Sequence, residues 1–289
     1  MKPSAFDYLA PATVEEALEA LAHRADETKL LAGGQTLVEH LNLRRVKPGL
    51  LIDLNRIPEL SYVEERDGGI AVGAMTRQRE VELSAAVERR IPILTEAITH
   101  VAHFQIRNRG TIGGSIAHGE SGAELPAVLC ALDGQITARS LSGGERTVPA
   151  AELFEGRWKT SIRPEEIITE VFFPAPQEGT GWAFREFGRR HGDLALGGAA
   201  VTIATEGGKI TAAAIAPMAG GQTPRRAPRS EAALVGAALG DELGPAVQQS
   251  VAGEVEPVGD VHASAEYRTH LTGVMARRAV LEAVEVARG

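Results

Sequence analysis

The sequence predicts a mixed α+β fold in three successive units, and three observations carry that prediction. Helical and strand periodicities alternate through the first part of the chain. Two glycine pairs, Gly33-Gly34 and Gly113-Gly114, interrupt apolar runs where a backbone must turn tightly. A linker, Pro174-Ala175-Pro176-Gln177-Glu178-Gly179, then precedes three strand patterns and three helical ones.

The first unit, residues 1–56, opens with Thr13 three residues before Glu16, the spacing of a capping box. Val14, Ala17, Leu18 and Leu21 follow at helical spacing, so a short amphipathic helix is predicted to about Ala25. Lys29–Ala32 reads as a brief strand ended by Gly33-Gly34, and Leu50–Leu54 as another. The second unit, 57–177, begins with strands near Ser61–Glu65 and Ile70–Ala74. Thr76 is placed to cap a helix holding Val81 and Leu83. Leu94, Ala97, Ile98 and Val101 share one face of a helix over Ile91–Val101. The stretch Arg107–His118 reads as too glycine-rich for a helix and too apolar for an exposed linker, hence as a buried, tightly turning backbone. An apolar helix over Ala123–Leu132 and strands at Gln135–Arg139 and Ile167–Phe173 complete the unit.

In the third unit, 178–289, Trp182–Phe187, Ala199–Thr205 and Lys209–Ala216 read as strands, the last two joined by a Gly207-Gly208 hairpin turn. Helical patterns near Ser230–Leu239, Asp241–Ala252 and Ser264–Ala287 end the chain.

Composition narrows the function classes. A net charge of −8 repels nucleic acid and anionic membrane alike. The apolar runs fall far short of the roughly 20 residues of a membrane span. The amino terminus has no apolar stretch of a secretory signal, so a cytoplasmic location is expected. Cys130 is the only cysteine, which excludes an intrachain disulfide, a zinc ribbon and a four-cysteine iron–sulfur cluster within these residues. It lies in an apolar run and reads as a buried thiol.

The chemistry is carried by the two glycine pairs. A diphosphate needs donors at close range. Glycine lets a backbone N–H approach because no Cβ intervenes, and it tolerates positive φ. Hydroxyls at Thr36, Thr111 and Ser115 stand beside the pairs as further donors. No G-x-G-x-x-G opens a helix after a strand, no P-loop is present and no G-x-S-x-G elbow appears. A nucleotide held here is held by some other architecture.

Two motifs carry a family resemblance. Ala32-Gly33-Gly34-Gln35-Thr36-Leu37 resembles the first FAD loop, A-G-G-[QH]-S-L, of the medium subunits of molybdenum hydroxylases. Thr111-Ile112-Gly113-Gly114-Ser115-Ile116-Ala117-His118 resembles their second, T-I-G-G-[DNS]-[IL]-[AS]-H. The run Gln105–Gly110, Ile52-Asp53-Leu54 and Glu165–Ile168 fit as well, in matching order along nearly the whole chain. The resemblance implies a two-part FAD-binding fold of the p-cresol methylhydroxylase type, followed by a three-stranded sheet with helices. It implies FAD on this chain, with molybdopterin on a large partner and two [2Fe–2S] clusters on a small one. The assembly is expected to be a dimer of heterotrimers that passes electrons to an external acceptor.

Residue by residue, Ala32, Gly33, Gly34, Gln35 and Thr36 match the first FAD loop, and Thr111, Ile112, Gly113, Gly114 and Ser115 the second. Glu124 matches an acidic residue near the flavin nucleotide, Ile168 an apolar residue packing on the cofactor, and Arg185 a basic residue near the isoalloxazine. Thr36 replaces the commoner serine and keeps the hydroxyl. Leu194 stands where the carbon monoxide enzymes have an aromatic residue. The resemblance implies no acid, base or nucleophile in this chain that acts on the organic substrate, and no metal ligands. The alternatives are a free-standing flavin oxidase of the same fold type and a scaffold that has lost its cofactor.

The remaining polar groups read more simply. His100 and His103 have a helical spacing but no third ligand. His118 closes the second loop, as a cofactor contact or a local support. The pairs Glu15-Glu16, Glu64-Glu65 and Glu165-Glu166 read as solvated or capping carboxylates. Arg107 and Arg109 flank the second loop and either balance phosphate charge or lie on the surface. Pro224–Arg229 reads as an exposed loop or a partner contact.

Overall fold

In the computed structural model, which describes residues 2–240 and 242–288, the first unit is a small parallel sheet covered by one helix. Strand β1 (Asp7–Leu9) leads through α1 (Val14–Arg24) to β2 (Thr28–Leu31), and α2 (Leu37–Asn42) leads to β3 (Leu50–Asp53). The order is β1-β3-β2 with both pairings parallel. The Thr13 hydroxyl accepts the Glu16 N–H at 3.2 Å. Glu16 returns to the N–H of Ala12, one residue earlier than a capping box places it. Val14, Ala17, Leu18 and Leu21 are buried against Leu50 and Ile52, and the same cluster takes in Leu60, Met75 and Ile167 from the next unit. Sequence periodicity misses β1, whose three residues are all exposed, and α2, which is too short to show a repeat.

The second unit starts with β4 (Val63–Arg66) and β5 (Gly69–Gly73). The helices α3 (Gln78–Glu82), α4 (Ala85–Arg90), α5 (Pro92–His100), α6 (Phe104–Arg107), α7 (Ile112–His118) and α8 (Glu124–Ala131) follow. Then come β6 (Gln135–Ser140), β7 (Gly144–Pro149), α9 (Ala150–Leu153), the hairpin β8 (Phe154–Gly156) and β9 (Lys159–Thr160), and β10 (Ile167–Pro174). The sheet order is β4-β5-β10-β6-β7, with every pairing antiparallel. Ile70, Val72, Ile98, Ile112, Ile116 and Phe173 meet in its core.

Two expectations in this unit are corrected. Thr76 does not cap α3; its hydroxyl accepts the Tyr62 N–H at 2.9 Å and donates to the Tyr62 carbonyl at 2.8 Å. The helix starts after Arg77, whose N–H goes to the Glu80 carboxylate, and it ends before the exposed Leu83. The second glycine pair lies inside α7 and is helical. Thr111 supplies the cap, accepting the Gly114 N–H at 3.1 Å, and the intrinsic helix penalty of two glycines is offset by packing. A Cβ on Gly113 would sit 2.6 Å from the Cβ of Ala74, so only glycine lets this helix lie on the β5 end.

In the third unit β11 (Gly181–Phe187), β12 (Gly197–Glu206) and β13 (Lys209–Met218) form an antiparallel meander, closed by α10 (Pro228–Leu234), α11 (Leu243–Ala252) and α12 (Ala265–Arg288). Gly207 and Gly208 take φ of +56° and +76°, as a tight hairpin requires. Helix α10 stops at Leu234, short of the expected Leu239, because Gly236 turns the chain at φ +85°. Asp241, expected to begin the next helix, lies outside the described residues. One face of this sheet, with Phe184, Ala200, Ala216 and Met218, joins the core of the second unit. The other, with Ala183, Val201, Ile203 and Ile215, packs on Ala276, Ala279, Val280 and Ala283 of α12.

Several charged residues prove structural. Arg226 is paired with Glu231 at 2.8 Å and Asp133 at 2.6 Å, tying the third unit to the end of α8. Glu166 is buried and paired with Arg146 at 2.6 Å. Cys130 is buried, and burial pushes its thiol up to about 12. Among the described residues no helix is long and apolar enough to cross a membrane.

The contact between β11 and α12 yields a stability prediction. A Cβ on Gly181 would collide with the backbone carbonyl oxygen of Ala283. Gly181→Ala is expected to cost about 1–3 kcal/mol, the range for overpacked sites, read as a lowered urea midpoint at unchanged m-value. An unchanged midpoint contradicts this packing.

Candidate functional site

The two glycine loops come from different sheets and touch. Gly33 is buried against the Arg109-Gly110 backbone so closely that a Cβ there would overlap the Arg109 carbonyl oxygen. A Cβ on Gly114 would stand 3.5 Å from the Cβ of Ala32. The approach is held on both sides. Arg77 donates to the Arg109 carbonyl and, at 2.6 Å, to Asn55 Oδ1. Asn55 in turn donates to the Ala32 carbonyl at 2.9 Å.

Their backbone donors are not equivalent. In the second loop the four amides from Ile112 to Ser115 are used. Ile112 N–H goes to Thr76 O at 3.1 Å, Gly113 N–H to Ala74 O at 2.9 Å, Gly114 N–H to Thr111 Oγ1 and Ser115 N–H to Thr111 O at 3.2 Å. In the first loop the N–H groups of Gly33, Gly34, Gln35 and Thr36 meet no acceptor among the described residues. Gly34 sits at φ +75°, and the Gln35 side chain folds back to the Gly33 carbonyl at 2.9 Å. Four consecutive unspent donors make a concave anion-binding backbone.

A cavity of about 640 Å³ opens here, lined by Ala32 to Gln35, by Leu31, Val38 and Leu43 on an apolar side, and by Arg77 and Arg109. That volume lies within the usual range for small-molecule and cofactor sites. Burial, and then the neighbouring Arg109 guanidinium, hold the Arg77 guanidinium below its ordinary value. Two guanidiniums beside free amides suit an anion, although Glu39 and Asp53 also line the cavity. Asp53 on the same wall is already engaged. Burial pushes its carboxyl up, but hydrogen bonds from the Tyr8 hydroxyl at 2.6 Å and from Asn55 outweigh that and hold it low. A diphosphate with an apolar-faced base attached fits this donor set.

Of the other residues singled out from sequence, Ser115 and Thr36 are half-buried beside the loops. Ile168 is buried in β10 next to a bulge. The bulged Thr169 carbonyl accepts Ala74 N–H at 2.9 Å, one link from Gly113. Glu124 and Arg185 do not reach the cavity. Glu124 starts α8, where burial and then the Glu186 carboxylate push its carboxyl up to about 8. Glu186 accepts from His100 Nδ1 at 3.3 Å, and its Oε2 is buried without a partner. That bond raises the His100 imidazole above its usual value, against burial, and explains His100 without a metal. Arg185 is paired with Glu282, with Glu96 3.7 Å away. Leu194 is exposed beside Gly122. Arg107 is spent on Glu82 at 2.8 Å and the Val101 carbonyl, whereas Arg109 lines the cavity. Sequence reasoning missed Arg77 and Asn55, whose roles exist only because α3 and the end of β3 meet between the loops.

The chain matches two family models: the FAD binding domain in molybdopterin dehydrogenase over residues 4–176, and the CO dehydrogenase flavoprotein C-terminal domain over residues 182–283. It is 45% identical over 290 residues to the 6-hydroxypseudooxynicotine dehydrogenase complex subunit alpha of Paenarthrobacter nicotinovorans, covering 100% of this chain and 97% of that one. Among solved structures it superposes on a chain of carbon monoxide dehydrogenase from Hydrogenophaga pseudoflava with a TM-score of 0.95, at 38% identity and 99% coverage of both. Quinoline 2-oxidoreductase from Pseudomonas putida 86 gives a TM-score of 0.92 at 34% identity, covering 100% of this chain and 99% of that one.

The buried Glu124 carboxyl makes stability depend on pH. Its folded pKa is raised, so its contribution is full below the unfolded value of 4.5 and is lost as pH climbs towards about 8. Wild type should therefore lose stability relative to Glu124→Gln across that window, by at most about 1.4 kcal/mol per pH unit. Both proteins keep His100, Glu186 and Arg107, so most of their titration cancels in the difference. Urea midpoints of the pair measured from pH 5 to 8 test this, and a constant gap refutes it.

Proposed function

The chain belongs to the family of FAD-binding medium subunits of molybdenum hydroxylases, and from that membership we propose that it is the flavin-carrying electron-transfer subunit of such a complex. The observation that carries the reading is the row of free amides, Gly33 to Thr36, set against the second loop and two guanidiniums. Bound FAD would supply the redox chemistry, storing two electrons that arrive singly. This chain supplies binding and orientation.

In this reading the Gly33, Gly34, Gln35 and Thr36 amides donate to the diphosphate, with Arg77 and Arg109 balancing its charge. Ala32 packs beside Gly114, while Ile112 and Gly113 seat the second loop on Thr76 and Ala74. Gly114 leaves room on the second side, and the Thr36, Thr111 and Ser115 hydroxyls add polar contacts. By resemblance Glu124 lies near the flavin nucleotide, Ile168 packs on the cofactor and Arg185 stands near the isoalloxazine, outside the cavity lined by the first loop. No residue here acts as acid, base, nucleophile or metal ligand towards the organic substrate. The division at 56/57 and 177/178 separates the two cofactor-binding parts from the third unit.

The partners are a large molybdopterin subunit, where CO, a purine or an N-heteroaromatic compound is oxidised, and a small subunit with two [2Fe–2S] clusters. Electrons leave to a quinone, NAD+ or O2 from a cytoplasmic dimer of heterotrimers. Full-length similarity to chains of multi-subunit enzymes leaves the free-standing oxidase without an observation in its favour. Co-purification of molybdenum, iron and two further chains tests the assembly.

The loops are tested by replacing Gly34 and Gly114 together with valine. The first change puts a β-branched residue at φ +75° and the second puts a side chain 2.7 Å from Thr111 Oγ1. Flavin retention, read from absorbance of the purified chain, is expected to fall about tenfold or more. Full flavin content in the double variant overturns the assignment.

A further inference from the structure

Two helices leave the glycine loops, and one side chain touches both. Helix α2 continues from the first loop and carries His40; α7 continues from the second and ends at His118. Trp158, in the turn between β8 and β9, lies parallel to His118, with ring centroids 6.1 Å apart and an interplanar angle of 13°. It meets His40 edge-on at 6.4 Å and 66°. Its indole N–H donates to Glu120 Oε2 at 2.6 Å, two residues past α7, and the Arg157 guanidinium lies 4.3 Å from the ring centroid.

The backbone under this indole is strained. Trp158 has φ +56°, a left-handed conformation that bulky aromatic residues rarely adopt and that glycine adopts freely. The hairpin itself does not require tryptophan, because the side chain is 48% exposed and stands outside the cores. The hairpin base is firmly seated. A Cβ on Gly119, the αL glycine that ends α7, would already stand at contact distance from Phe154 and Thr160 of the hairpin. The indole thus projects from a fixed platform towards the one place where both loop helices are within reach.

We infer that Trp158 is a positioning residue of the nucleotide site, clasping α2 to α7 so that the two glycine loops keep the spacing a dinucleotide diphosphate needs. The inference rests on the FAD reading above and adds a residue that neither loop motif contains. The indole acts through His40, His118 and Glu120 and need not touch the cofactor.

The test compares full-length wild type with Trp158→Gly and Trp158→Phe. Glycine relieves the backbone strain and removes the clasp; phenylalanine keeps a ring against both histidines and loses only the Glu120 bond. Trp158→Gly is expected to melt no lower than wild type in the apo form, to bind FAD at least about tenfold more weakly, and to show faster amide exchange in α2 and α7. Trp158→Phe should recover most of the affinity and protection. Unchanged FAD affinity together with unchanged exchange in Trp158→Gly overturns the clasp while leaving the FAD reading intact. A lower apo melting temperature with unaltered FAD affinity also overturns it, because the residue is then only structural. A wild-type chain that takes up no FAD overturns both readings.

Discussion

The structure depends on a contact that only glycine permits. Gly33 lies on the Arg109-Gly110 backbone with no room for a Cβ, and Gly113 lies on Ala74 in the same way. The first contact joins the end of the parallel sheet to the loop before α7. The second joins α7 to the end of β5. The first lies between two units that share no strand, and the second seats the glycine helix within its own unit. Interiors pack as densely as organic crystals, so a displacement at such a point cannot be absorbed locally.

That contact also decides how the donors are divided. The segment Ala74–Gln78 runs beside Gly110–Gly113 and takes the Ile112 and Gly113 amides of the second loop, while Thr111 takes those of Gly114 and Ser115. Its partner across the contact has no such neighbour, and four amides remain open. Symmetric motifs have become asymmetric parts: one loop is a wall, the other a row of donors. The charge follows the same division. Arg77 is held between the loops by hydrogen bonds to the Arg109 carbonyl and to Asn55, with the Arg109 guanidinium acting against its charge and Glu80 and Asp53 in its favour.

Much of this was legible in the sequence, for identifiable reasons. Helix α1 shows clean periodicity because it buries one face, β3 shows a short apolar run because both its faces are buried, and the Gly207-Gly208 turn needs positive φ twice. The glycine pairs stood out because a backbone site constrains composition more than geometry. The helical state of Gly113-Gly114 was not legible, since helix propensity argues against it and the Ala74 contact that overrides propensity lies 39 residues away in sequence (113 − 74). Thr76 misled for a related reason. Its hydroxyl looks like a cap in sequence, yet the strand partner Tyr62 claims it. Arg77 and Asn55 carry no motif at all, and their role comes from three-dimensional neighbours.

Recognition through backbone amides has a consequence for variation. An amide is present whatever the side chain, so Thr36 for serine, or Gln35 for histidine, leaves the donors in place, while a single Cβ at Gly33 does not. Glu124 and Arg185 stand apart from this site: Arg185 is paired with Glu282, and Glu124 is buried near the like-charged Glu186, in a cluster with its own electrostatic logic. The loops can be read from composition, whereas that cluster can be read only from its neighbours.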